Sequence, residues 1–257
     1  MCKKLLFIFL VFWGSLQSEE IDLSRYEQSI YSQNGEDGVL AKIFMLLNQS
    51  SGFCVEFGAD DGVRGSNTYL FRLGGWDCLL LDRLSENPHY NLYKAFITAE
   101  NINELFYEYQ VPYNLDLLSI DIDYNDFYVW QAIDEKYRPS VVVIEYNATH
   151  LPHEDKVVKY RPFFCSDGSN YFGASILAMY QLGRSKGYSL VYAEKTGTNL
   201  FFVRDDFLKE KNLEFTNMNN VEKLYRHPKY GNGPNGGHRQ DPRNREYLSS
   251  CELLKQK

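Results

Sequence analysis

Cys54-Val55-Glu56-Phe57-Gly58-Ala59-Asp60-Asp61-Gly62-Val63-Arg64-Gly65-Ser66-Asn67-Thr68 is the most telling run of this chain. A short apolar stretch meets an acid and passes into a turn carrying Gly58 and Gly62. It then reaches Ser66 and Asn67, both good caps for a following helix. Strand, glycine turn and helix make the unit from which nucleotide-binding α/β sheets are built. Glycine also lets backbone approach a ligand where a Cβ would collide. The turn carries Glu56, Asp60 and Asp61, which does not suit a bare pyrophosphate. A dinucleotide fingerprint needs G-x-G-x-x-G and keeps its helix N-terminus free for phosphate. Acids beside a glycine turn suit a ligand with cationic centres and no phosphate, and S-adenosylmethionine carries an ammonium and a sulfonium. Alone, E-x-G-x-x-x-G is a common spacing after strands.

The chain repeats the pattern. Gly75 to Asp82 is a second apolar run ending in an acid, about 20 residues beyond Gly62, where such sheets place the carboxylate that accepts from ribose hydroxyls. Leu115 to Asp123 and Ser140 to Asn147 are two more. None alternates cleanly, as expected of strands buried on both faces of a parallel sheet. In open α/β sheets ligands sit beyond the carboxyl ends of the strands, where these acids cluster. The spacing predicts strands over 53–57, 78–82, 116–121, 140–145, 189–193 and 199–203. A weakly marked strand ends near 96–100. Helices are predicted over 34–48 with Ser32 as cap, then 66–73, 101–109, 127–136 and 174–186, and Thr196-Gly197-Thr198 reads as a hairpin turn.

Ser32-Gln33-Asn34-Gly35-Glu36-Asp37-Gly38, Val55-Glu56-Phe57-Gly58, Asn67-Thr68, Gly75-Trp76 and Ser119-Ile120-Asp121-Ile122-Asp123 resemble motifs of the FkbM-like methyltransferases. So do Asn125-Asp126, Arg138-Pro139, Val143-Ile144-Glu145-Tyr146-Asn147 and Gly168-Ser169-Asn170-Tyr171-Phe172-Gly173-Ala174-Ser175. The similarity spans about residues 28–204 and is specific as a set, not motif by motif. It implies a doubly wound α/β fold of the class I methyltransferase kind, with seven strands in the order 3-2-1-4-5-7-6 and one antiparallel strand. It also implies S-adenosylmethionine as cofactor and a hydroxyl as the usual methyl acceptor. The cofactor set it suggests is Gln33, Glu36, Glu56, Gly58, Asp60, Gly62, Asn67, Asp82, Glu100, Asn101 and Asp121. Within it Glu56 is expected to receive the methionine ammonium directly or through water, Gly58 to lie under the ligand and Asp82 to accept from the ribose hydroxyls. Tyr124 stands where the family pattern has glycine, which puts a bulky ring where substrate would enter.

The most pointed chemistry is Asp121 and Asp123 with Glu145 and Asn147. Residues two apart share one face of a strand, and at a strand end both pairs can project above the sheet. Four oxygen ligands from neighbouring strands suit a hard cation such as Mg²⁺ or Ca²⁺. Such an ion would bind a substrate hydroxyl and lower its pKa, with Asp121, Asp123 or the loop residue His150 as base. His153 flanks the same loop and is a second candidate base. The alternative is that these acids cap turns and contact cofactor or water without metal.

The composition bounds the partners. A chain of 257 residues, 44% hydrophobic, can bury one substantial α/β core. A net charge of −7 argues against a nucleic-acid partner, because a phosphate backbone wants a basic face; a small molecule or glycan is expected instead. Met1-Cys2-Lys3-Lys4, the apolar run Leu5 to Trp13, and the small and polar residues to Ser18 read as a secretory signal peptide over 1–18. That predicts a secreted or periplasmic protein without a stable membrane span after cleavage, with a signal anchor or a cytoplasmic location as the alternatives. Export would separate it from cytosolic S-adenosylmethionine, so an exported, non-catalytic binding or trafficking module on the same fold is the second reading. Cys54, Cys78, Cys165 and Cys251 show no spacing that demands a disulfide or a zinc ribbon. The methyltransferase-like domain is expected over 28–206. The extension 207–257 is rich in Gly, Pro, Asn and Arg over 231–244 and reads there as loop or disordered tail.

Overall fold

The computed structural model describes residues 20–256, so the segment 1–18 that the sequence reads as a signal peptide lies outside the described residues. Seven strands form one sheet: β1 (Phe53–Phe57), β2 (Asp77–Asp82), β3 (Leu92–Lys94), β4 (Leu117–Ile120), β5 (Val141–Glu145), β6 (Tyr188–Ala193) and β7 (Asn199–Arg204). Their order is β3-β2-β1-β4-β5-β7-β6, with β7 antiparallel to both neighbours. That is the α/β architecture expected from the sequence.

Alternation along each strand feeds two cores. Val55 and Phe57 of β1 face one side, with Leu118 and Ile120 of β4 and Val142 and Ile144 of β5. Against them pack α3 (Ile102–Glu108), α4 (Asp126–Ala132) and α5 (Ile176–Ser185). Cys54, Leu117, Val141 and Val143 face the other side, covered by α1 (Glu36–Leu47), α2 (Tyr69–Leu73) and α6 (Asp205–Lys211). Burial on both faces explains why the strands read as unbroken apolar runs. Each fully buried Leu, Ile, Val or Phe contributes about 1.5–3 kcal/mol. Two short helices, α7 (Val221–Leu224) and α8 (Ser250–Leu253), follow in the C-terminal extension.

Several elements depart from the expected positions: α2 starts at Tyr69 and not 66, α4 ends at Ala132 and not 136, and β3 and α1 shift as well. The edge strand β3 lies at 92–94, paired with β2 through Leu80↔Leu92 and Asp82↔Lys94. The Phe96-Ile97 signal belongs to the turn after it, held by the Asn101 side chain between Phe96 O and Thr98 N at 2.8 Å each. Helix α1 starts at Glu36, later than 34. Ser32 Oγ accepts from the Asp37 amide (3.1 Å), and Asp37 Oδ2 accepts from the amides of Ile30, Tyr31 and Ser32. Cys54 and Cys78 sit opposite each other on β1 and β2 as free, buried thiols. Among the described residues no helix is long and apolar enough to cross a membrane.

Candidate functional site

The order in which strands are added reverses between β1 and β4, which are parallel: β2 and β3 lie to one side of β1, and β4 and β5 to the other. Ligand crevices form beyond strand ends at such a switch point. A cleft of about 340 Å³ opens there, lined by Gly58 after β1, Asp82 at the end of β2, and Asp121 and Asp123 after β4. Gly58 is required by its surroundings. Its φ is +68°, and a Cβ would lie 1.8 Å from the Asp121 carbonyl oxygen. Absence of a side chain thus lets the two strand-end loops touch under the cleft floor. The Asp82 carboxylate accepts from the amides of Leu84 (2.7 Å), Ser85 (2.8 Å) and Asp60 (3.2 Å). A carboxylate offers about four acceptor sites, so about one remains on Asp82 for a ligand. Four acids line the cleft (Asp60, Asp82, Asp121, Asp123) against one base, Arg83, while Leu84, Phe96, Ile97 and Phe164 supply its apolar wall.

Other residues of the expected cofactor set build the cleft without lining it. Glu56 is 4% exposed, and its carboxylate accepts from Ser66 Oγ (2.6 Å), the Asn67 amide (2.7 Å) and Thr68 Oγ1 (2.6 Å). Burial raises its pKa, and these hydrogen bonds pull it back. Its first task is therefore to anchor the loop before α2, not to present a free carboxylate to an ammonium. Asn67 continues the anchor, donating from Nδ2 to Ser119 Oγ on β4 (3.0 Å). Glu36 is fully buried and ties Asn34 to Asn199 of β7. The Gly62 amide donates to Ala59 O (2.7 Å), closing the turn. Glu100 accepts from the Tyr160 hydroxyl and Asn101 holds its own turn, while Gln33 is exposed; none of the three reaches the cleft. Nor does Tyr124 obstruct it. The ring is fully buried with Val158, Tyr171 and Phe172, and its hydroxyl donates to Lys159 O (3.1 Å), away from the opening.

Beside the cleft, Asp121, Asp123 and Glu145 each bring one carboxylate oxygen within 4.8 Å of the others. Burial, then the charges of Asp126 and Asp123, drive the Asp121 carboxyl well above its ordinary range. Burial followed by Asp121 and Asp126 does the same to Glu145. Asp126, the first residue of α4, is fully buried and pushed up to about 7, chiefly by burial. Its Oδ1 accepts from the Ile122 amide (2.9 Å), whereas Oδ2 has no hydrogen-bond partner; neither has Glu145 Oε2.

Two expected members do not join this group. Asn147 spends its whole amide elsewhere: Nδ2 donates to Asn170 O and Phe172 O, and Oδ1 accepts from Thr149. It pins the 170–172 loop because, two residues past Glu145, the chain has already left the sheet. His150 is 4% exposed and packs edge-on against Tyr247 with ring centres 4.6 Å apart. Burial and the neighbouring Lys156 lower its pKa to about 4. It does not line the cleft, and a proton acceptor so placed cannot reach a substrate there. His153 is exposed on the same loop.

What the sequence did not reveal is the role of the C-terminal extension. Residues 225–250 fold back over the 148–173 loop instead of trailing away. Arg245 bridges Asp241 (3.0 Å) and Asp167 (2.7 Å) and lies 4.1 Å over the Tyr171 ring. Tyr247 donates to Asn170 O (2.8 Å), and Leu248 pairs with Val157. The turn at 231–237 packs so closely that a Cβ on Gly236 would lie 2.1 Å from Pro228 O. Tyr230, just before this turn, packs against the His238 ring with centres 5.6 Å apart, and burial, then the Glu145 charge, raises its hydroxyl pKa. Glycine, proline and asparagine mark tight turns and disorder alike, so composition alone could not distinguish them. No family model matches the chain, and no curated protein matches it.

Proposed function

We propose that this chain is an S-adenosylmethionine-dependent methyltransferase of the FkbM-like kind, acting on a hydroxyl of a polar small molecule or glycan. The observation that carries the reading is the acid-lined cleft at the switch point, with Asp82 at the end of β2 and the Asp121 and Asp123 carboxylates at the end of β4. Its volume of about 340 Å³ falls within the range of small-molecule sites. Four carboxylates against one guanidinium suit a ligand bearing an ammonium and a sulfonium and no phosphate. The remaining acceptor capacity of Asp82 suits ribose hydroxyls, and Leu84, Phe96 and Ile97 suit an adenine ring. When bound, the cofactor supplies an electrophilic methyl group. The protein's part is to align an acceptor oxygen with that methyl and to take the hydroxyl proton onto Asp121 or Asp123.

Titration calorimetry with S-adenosylmethionine and S-adenosylhomocysteine tests this directly. Both should bind with one site per chain. Asp82→Ala should weaken them by about 1.5–3 kcal/mol, the scale of a charge-assisted hydrogen bond. Absence of heat with either ligand would refute the reading. The commitment of Glu56 to its own loop favours the second reading, a non-catalytic binding module on this fold. Tight binding of both ligands with no methyl transfer to any of a panel of polyols and glycans would support that one.

A further inference from the structure

We infer that Asn48 carries an N-linked glycan and that Asn147, in a second acceptor sequence of the same type, does not. The inference rests on the secretory signal expected over residues 1–18 and not on the proposed activity. The chain holds two N-x-[ST] sequences, Asn48-Gln49-Ser50 and Asn147-Ala148-Thr149. Sequence alone does not tell them apart, but their surroundings do.

Asn48 ends α1 in the left-handed region, at φ +60°, a conformation that asparagine adopts more readily than most residues. Capping alone would account for an asparagine there, so the match needs support from the rest of the turn. The Gln49 side chain points inward and donates to Asp116 Oδ1 (2.8 Å) and Ser140 Oγ (3.3 Å). Asn48 and Ser50, on either side of it, are exposed, and neither side chain is hydrogen-bonded among the described residues. Trp76 Nε1 donates to the Ser50 carbonyl at 3.2 Å, so the turn is held by its middle side chain and its backbone. The acceptor amide and the hydroxyl that completes the signal are the groups left to solvent. Asn48 also precedes β1, whereas the cleft lies beyond the other end of that strand. Five residues of β1, about 16 Å, stand between them, so a bulky group on Asn48 leaves the cleft open.

Asn147 is the opposite case. It is fully buried, with Nδ2 donating to Asn170 O (2.7 Å) and Phe172 O (2.9 Å). Its Oδ1 accepts from the amide and the hydroxyl of Thr149, the residue that completes its own signal. A sugar on Nδ2 replaces one of two hydrogens, so one of these bonds is lost, and the sealed site has no room for the ring. A chain modified there cannot close the 170–172 loop. The donor for Asn48 is an oligosaccharide on a polyprenyl pyrophosphate. The amide nitrogen bonds to C1 of the first sugar as the bond from C1 to the pyrophosphate oxygen breaks. The lipid pyrophosphate leaves with that electron pair, and the amide gives up one proton.

The test is translation of the full chain with endoplasmic-reticulum membranes, followed by protease protection and peptide-N-glycosidase. Wild type should be protected and should show one glycosidase-sensitive step in gel mobility. The glycosidase leaves Asp in place of a glycosylated Asn, and mass spectrometry should find that change at 48 alone. Ser50→Ala keeps the Asn48 turn and the carbonyl on Trp76, and should abolish the step; Thr149→Ala should leave it in place. A protected chain without the step, or a step that survives Ser50→Ala, overturns the Asn48 site. An unprotected chain overturns export and the modification together. A glycan at Asn147 in chains that resist limited proteolysis would show that burial does not exclude it. None of these outcomes involves the cleft, so the inference and the proposed activity fail separately.

Discussion

Glu56 and Gly58 stand two residues apart and both belong to the motif that points to a ligand, yet physics gives them different work. Gly58 is fixed by the approach of the Asp121 carbonyl, and Glu56 by three donors from residues 66–68. Glu56→Ala would leave two hydroxyls and an amide buried without their acceptor. It should destabilise the fold by about 3 kcal/mol in denaturant unfolding, since each hydrogen bond to a charged group is worth about 1.5–3 kcal/mol and the three are not additive. A carboxylate reserved for a ligand would instead lose affinity at unchanged stability. Sequence reading found which residues matter at the strand ends because acids after apolar runs are conspicuous. It could not find what each acid holds, because Ser66, Asn67 and Thr68 look like ordinary helix caps until the loop folds back on β1. Asn147 misled in the same way: spacing placed it beside Glu145, but a side chain's direction after a strand ends is set by the loop it enters.

Elements were legible in proportion to the length of their apolar runs. β1, β2, β4 and β5 emerge from the sequence because each buries both faces, and α1 because Val39, Leu40, Ile43, Phe44 and Leu47 recur at helical spacing. β3 does not, since three residues on a sheet edge carry no period to read. The C-terminal extension is the larger omission: its order comes from long-range partners, chiefly the Arg245 clamp on Asp241 and Asp167. Arg245 and Asp241 are little exposed, with side-chain accessibilities of 15% and 6%, so this pairing is stronger than an ordinary surface ion pair. Arg245→Met keeps the apolar stem and removes the charge. It should lower the protection of amides over 230–250 in hydrogen exchange by about 1–3 kcal/mol while leaving β1 and β4 unchanged. Equal loss of protection throughout the sheet would show that the extension unfolds only with the whole domain.

For the molecule as a whole, the buried ionisable groups pull stability in opposite directions with pH. His150 takes its proton near pH 6.5 in the unfolded chain but only at about 4 when folded. Between those values the unfolded state binds more protons, so stability falls as pH falls, by about 3 kcal/mol in all. Asp126 runs the other way. It releases its proton near pH 4 when unfolded and at about 7 when folded, so its contribution is lost as pH rises through that window. Asp121 and Glu145, raised by the same burial and mutual repulsion, add to the second slope. The windows overlap, and each one-proton difference tilts stability by about 1.4 kcal/mol per pH unit. In chelator the two slopes should partly cancel in wild type. His150→Gln should expose the acidic slope, giving a chain that loses stability steadily from pH 4 to 7. Asp126→Asn keeps the bond from the Ile122 amide and should make the fall of stability with rising pH shallower between pH 4 and 6.5. Melts of the three proteins across pH 4–8 separate the contributions. Identical pH profiles for His150→Gln and wild type would mean that His150 titrates as a solvated histidine and is not sealed under Tyr247.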